Sequence, residues 1–164
     1  MTVVRPVLAI FLHQLTATGV VRNALAIGRH MRDRQWRVVI VTVRPGGELS
    51  ALLDGLEHVV LGGPRLPRKL ELLRAVGPLR REIEALRPQV MLSAGNHAHL
   101  AVLSAAQSQM DTAFVYRISN DLTHGISAED RFAAFSPRRL IARRVVRDAT
   151  RLVSPHLAQD PILA

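Results

Sequence analysis

The sequence predicts an α/β fold: a three-layer, doubly wound parallel sheet in a single domain. Two observations carry this. Short apolar runs rich in Val, Ile and Leu alternate along the chain with longer amphipathic ones, the pattern of strands separated by helices. Those runs lack the polar alternation of a half-exposed strand, so they read as strands buried on both faces, which is the environment of a parallel sheet.

Val7–Leu12 (VLAIFL) is the first such run, and residues 19–31 follow with apolar side chains near helical spacing at Val20, Val21, Ala24, Leu25, Ile27 and Met31. Trp36–Val43 (WRVVIVTV) reads as the second strand, stopped by Pro45-Gly46-Gly47. A short helix over 48–54 leads to a third strand over 58–61, closed by Gly62-Gly63-Pro64. Residues 68–86 read as one long amphipathic helix, in which Gly77-Pro78 is the place for a kink or split. A fourth strand over 90–92, a helix over 98–107, a fifth strand over 113–118, a helix over 138–148 and a sixth strand over 151–153 complete the reading.

Composition narrows the class. At 164 residues the chain is long enough for one sizeable core. Aromatics are only 4%, so that core must be built from Leu, Val, Ile and Ala. The absence of cysteine excludes a disulfide framework and any thiolate metal site, and fits a reducing cytoplasm. No run approaches the roughly 18 apolar residues of a membrane span. The net charge of +9 is carried by 22 basic residues of which only Lys69 is lysine. So uniform a use of arginine reads in part as a coding bias. Without interleaved aromatics or a reader motif, no nucleic-acid partner is expected.

In a doubly wound sheet, ligands bind beyond the carboxyl ends of the strands. The loop after the first strand ends in Thr18-Gly19 and opens a helix, whose free N–H groups suit phosphate; equally, Thr18 is a good helix N-cap. It is neither a GxGxxG nor a P-loop sequence. The loop after the fourth strand carries Asn96 and His97, able to bond sugar hydroxyls or phosphate, or simply to open the next helix. After the fifth strand come Arg117, Ser119 and Asn120. An arginine in a buried strand needs a partner or a cleft. His13, at the end of the first strand, is ambiguous for the same reason, and His99 reads as surface. His13, His97 and His124 lack an HxxxH spacing or a close carboxylate, so no metal is expected. Arg22 and Arg117 should make the cleft positive. The arginines of 138–151 suit either solvent or an anionic membrane surface.

Beyond these physical readings, residues 18–31 (TGVVRNALAIGRHM) resemble the segment GGxERxxxxLAxxL that opens family-4 retaining glycosyltransferases. Further segments are similar to that family in order: 36–42 to GHEVxVVT, 86–90 to xxPDVV, 115–121 to an apolar strand ending in a polar residue, and 149–155 to ADxVVxxS. Thr18 stands for a family glycine, Val21 for an acid, Ser119 or Asn120 for a histidine that contacts the donor sugar, and Thr150 for an acid.

The resemblance implies that residues 1–164 are the N-terminal, acceptor-side Rossmann-like domain of a GT-B enzyme, without the C-terminal domain that holds most of the donor site. It implies Thr18 and Gly19 at the donor diphosphate. His13, Asn96, His97, Arg117, Ser119 and Asn120 would line the acceptor or donor-sugar side. A nucleotide sugar would be co-substrate, with no metal or other cofactor. The acceptor would be a sugar or a lipid-linked sugar, the location cytoplasmic or peripheral at the inner membrane face, and the isolated fragment inactive. Two alternatives stay open: a non-catalytic module binding a phosphorylated ligand or partner protein, and the N-terminal half of a sugar-nucleotide epimerase.

Overall fold

The computed structural model describes residues 5–106, 111–117 and 151–153. The strands are β1 (Val7–Leu12), β2 (Arg37–Thr42), β3 (Glu57–Val60), β4 (Val90–Ser93), β5 (Ala113–Arg117) and β6 (Arg151–Val153). The helices are α1 (Gly19–Asp33), α2 (Arg68–Arg74), α3 (Val76–Leu86) and α4 (His99–Ala105). All strands pair in parallel, in the order β3-β2-β1-β4-β5-β6. This is the doubly wound, Rossmann-like α/β fold.

Alternation along β1 divides the core. Val7, Ala9 and Phe11 pack with Leu72, Leu79, Ile83 and α4 on one face, and Leu8, Ile10 and Leu12 pack with Val21, Ala24 and Leu25 of α1 on the other. Every residue of β1 is buried, which is why its sequence shows no polar alternation. The sheet order reverses at β1, which lies between β2 and β4. In sheets of this kind ligands bind beyond such a switch point, which here is the carboxyl ends of β1 and β4.

Three boundaries differ from the sequence reading. The expected helix over 48–54 is a 3-10 turn, Ser50–Leu53. The long helix over 68–86 is split, as Gly77-Pro78 leads one to expect, but the joint between α2 and α3 is Ala75. Pro78 lacks the N–H that would bond the carbonyl of Arg74, so the ladder breaks within that turn. A 3-10 turn, Asn96–Ala98, precedes α4. The expected helix over 138–148 lies outside the described residues.

Candidate functional site

The carboxyl edge of the sheet is held by backbone bonds between the loops that leave it. The His13 carbonyl accepts from the N–H groups of Val43 at 3.1 Å and Arg44 at 3.0 Å, which ties the end of β1 to the end of β2. Leu49 N–H donates to the Leu15 carbonyl at 3.0 Å. Gly47 lies so close to the first loop that a Cβ there would stand 2.2 Å from the Leu15 oxygen, and its φ is +132°. Only glycine fits both restraints. The β4 loop packs on the start of α1, where a Cβ on Gly95 would meet Val20 Cγ1 at 3.4 Å.

Beneath this edge sits a side chain that sequence reasoning passed over. Glu71, in α2, is 5% exposed. Its Oε2 accepts from His13 Nε2 at 2.7 Å and from Arg44 Nε at 3.2 Å. Its Oε1 accepts from Leu66 N–H at 2.9 Å and from Arg44 Nη2. Each oxygen thus takes two donors, and the forked Arg44 contact is the charge-assisted one. The expectation that His13 has no close carboxylate is therefore corrected. A detectable signal existed: Glu71, Ala75 and Leu79 are spaced by four, so the acid stands on the buried stripe of the α2–α3 unit. Beside it a small cavity of about 20 Å³, room for one water, opens between Arg44, Gly63, Leu66 and Arg74.

Burial first, and neighbouring cations second, disfavour a proton on His13. Partial burial lowers its pKa, and the cations Arg68 and Arg44 lower it further. A neutral imidazole that donates from Nε2 to a carboxylate leaves Nδ1 as an acceptor. His97 reaches solvent, yet the atoms packed around its ring lower its pKa, with Arg68 and Lys69 adding to that. Arg68 thus acts on both histidines, with Arg44 adding positive charge at His13 and Lys69 at His97. Arg22 and Arg117, the arginines expected there, do not figure among the cations acting on either ring.

The other expected residues are distributed as follows. Thr18 caps α1, its Oγ1 accepting from Val21 N–H at 3.4 Å. Gly19 is exposed, with open space where a Cβ would stand. Ala17 N–H is already taken by Glu48 at 3.1 Å, so the amides left for an anion are those of Gly19 and Val20 in the first turn. Thr18 and His97 stand at the same end of the sheet, in loops that touch through Gly95 and Val20. Asn96 belongs to the 3-10 turn of the β4 loop. Arg117 follows the alternation of Val115 to the α1 face, where it lines an apolar groove of about 240 Å³ with Leu8, Ile27, Met31 and Trp36. Among the described residues its Nη1 is buried without a hydrogen-bond partner. Ser119, Asn120 and His124 lie outside the described residues.

His99 is a correction. It is not surface but 3% exposed, its Nδ1 sharing a 2.7 Å hydrogen bond with Ser93 Oγ and its ring edge-on to Tyr116. Burial pushes its pKa down to about 4, so it is a neutral core residue. No group of three His, Asp or Glu side chains is placed to hold a metal among the described residues. Nor is any described helix long and apolar enough to cross a membrane.

Comparison with solved structures finds the same fold in larger chains. Sucrose-phosphate synthase from Thermosynechococcus elongatus is 14% identical with a TM-score of 0.65, over 90% of this chain and 42% of that one. MurG from Acinetobacter baumannii is 14% identical with a TM-score of 0.58, over 91% and 41%. A Listeria monocytogenes protein assigned as a UDP-N-acetylglucosamine 2-epimerase is 12% identical with a TM-score of 0.61, over 93% and 39%. The chain thus spans less than half the length of each. No curated protein sequence matches it. The model of the glycosyl transferase 4-like domain matches residues 18–159. The chain belongs to the glycosyl transferase 4-like domain family.

Proposed function

We propose that residues 1–164 form the N-terminal, acceptor-side domain of a GT-B glycosyltransferase that moves a sugar from a nucleotide donor to an acceptor with retention. The family match supports the transferase class, and coverage of about two fifths of the structural neighbours leaves room for a second, donor-holding domain. The observation that carries the reading is the edge of the sheet at β1 and β4. It combines open amides at Gly19 and Val20, an acceptor nitrogen on His13 and the cations Arg44, Arg68 and Lys69 that act on His13 and His97.

In this reading Thr18 and Gly19 face the donor diphosphate, whose charge the helix N-terminus and these cations stabilise as it departs. His13 holds a hydroxyl through Nδ1, kept in place by Glu71 and Arg44. His97 and Asn96 lie on the same side. Ser119 and Asn120 are assigned to the acceptor or donor-sugar side on the family resemblance alone, and Arg117, turned to the groove on the α1 face, takes no part in that wall. Positioning does most of the work, with no metal or other cofactor. The setting is cytoplasmic, and the domain alone is inactive.

The likeness to the Listeria protein favours one second reading, the N-terminal half of a sugar-nucleotide epimerase. The polypeptide that includes whatever follows Ala164, incubated with radiolabelled UDP-glucose or UDP-N-acetylglucosamine and membrane extract, separates the two. Label passing into an acceptor supports transfer. Epimerised sugar without an acceptor supports the second reading, and no change in either donor counts against both.

A further inference from the structure

Helix α2 turns two opposite faces to two different environments. Glu71 and Leu72 are buried, and Ala75 at its end is 3% exposed. On the other side Leu70 is 48% exposed and Leu73 is 65% exposed, the highest among the large apolar side chains described. At about 100° per residue, Lys69 lies about 40° to one side of Leu73 and Arg74 about 40° to the other side of Leu70. Arg65, also exposed, adds a cation just before the helix, whereas Arg68 turns toward the inner side with Glu71 and Ala75 and belongs to the surroundings of His13 and His97. The only acid of α2 is Glu71, and it points inward onto His13 and Arg44.

We infer that α2 is a membrane-docking surface, inserting Leu70 and Leu73 into the headgroup region of an anionic bilayer while Arg65, Lys69 and Arg74 bind lipid phosphates. Charge complementarity selects this occupant. An apolar centre ringed by cations matches a surface whose interior is apolar and whose rim is anionic, and long basic side chains can keep their charges at headgroup level while their stems stay apolar. Docking needs only the geometry of α2 and does not rest on the transferase reading. One consequence does rest on it: Glu71 supports His13 from the inner face of the same helix, so docking brings the strand-end site to the lipid surface and suits an acceptor with a lipid tail.

The 164-residue chain contains no cysteine, so Leu73→Cys creates a unique thiol for an environment-sensitive fluorophore. Ala51→Cys, exposed on the α1 face, serves as control. Vesicles are pure phosphatidylcholine, or the same lipid with about one third phosphatidylglycerol. The chain should co-sediment with the anionic vesicles only, and the label should shift to the blue at position 73 but not at 51. Leu70→Ser with Leu73→Ser, and separately Lys69→Glu with Arg74→Glu, should each weaken partitioning roughly tenfold or more, with circular dichroism unchanged. Absence of binding to anionic vesicles overturns the inference. So does binding that the serine pair leaves intact, since charge alone would then explain it, and so does an equal shift at both labels.

Discussion

Replacing Glu71 with alanine removes a carboxylate that takes four hydrogen bonds, two on each oxygen. It also leaves Arg44, whose side chain is only 19% exposed, without its counter-charge. Breaking a buried ion pair from one side destabilises by about 3–5 kcal/mol. Because Arg44 retains some access to water, the lower end, about 3 kcal/mol, is the appropriate figure. For a chain of 164 residues each kcal/mol shifts Tm by roughly 2–4 °C, so a fall of about 6–12 °C is expected. Thermal unfolding followed by circular dichroism measures it. Glu71→Gln, which keeps the shape and part of the bonding, should fall by less than half as much. In a double-mutant cycle with Arg44→Ala the two losses should be strongly non-additive. A Glu71→Ala protein within about 0.5 kcal/mol of the parent would refute the view that this cluster holds the strand-end loops together.

Other predictions follow from single sites. The unfolded pKa of His99 is near 6.5 and the folded value is about 4, so the folded state binds the proton less well. Stability is then full above about pH 6.5 and declines as pH falls toward 4, by about 3 kcal/mol in all. His13, also lowered, acts in the same sense. His99→Leu should flatten this acid limb in urea titrations, and an unchanged limb would assign it to other groups. Gly47→Ala should destabilise by more than about 2 kcal/mol, because both its φ and the Leu15 carbonyl oppose a side chain; a neutral result in chemical denaturation would mean the two loops can separate freely. Leu79→Ala, at a fully buried position between α3 and the sheet, should lose about 2–5 kcal/mol by the same measurement, and a loss below 1 kcal/mol would show that the core there collapses around the gap.

The strands were legible because burial on both faces writes itself as unbroken apolar runs: VLAIFL carries its own assignment. Thr18 was legible as a cap because capping is local. What escaped depended on contacts distant in sequence. Glu71 is 58 residues from His13 and 27 from Arg44, and in a linear reading it looked like one more acid on an amphipathic helix. His99 failed for a related reason. Its imidazole is accepted into the core by Ser93 and Tyr116, partners that only the β4–β5 pairing brings together. Arg117 was rightly marked as unusual, but strand alternation sends it to the α1 face, away from the histidines it was grouped with.

The central claim is that this chain carries the diphosphate-facing and acceptor-facing edge of a divided site. Titration of the ¹⁵N-labelled chain with pyrophosphate and with UDP-glucose tests it residue by residue. The amides of Gly19 and Val20, with those of His13 and His97, should shift, while those near Pro88 and Asp111 at the opposite end of the sheet stay still. Affinity should be weak, roughly millimolar, because one wall of a cleft makes only part of the contacts. Shifts confined to the opposite end, or micromolar binding of UDP-glucose to this domain alone, would contradict the account.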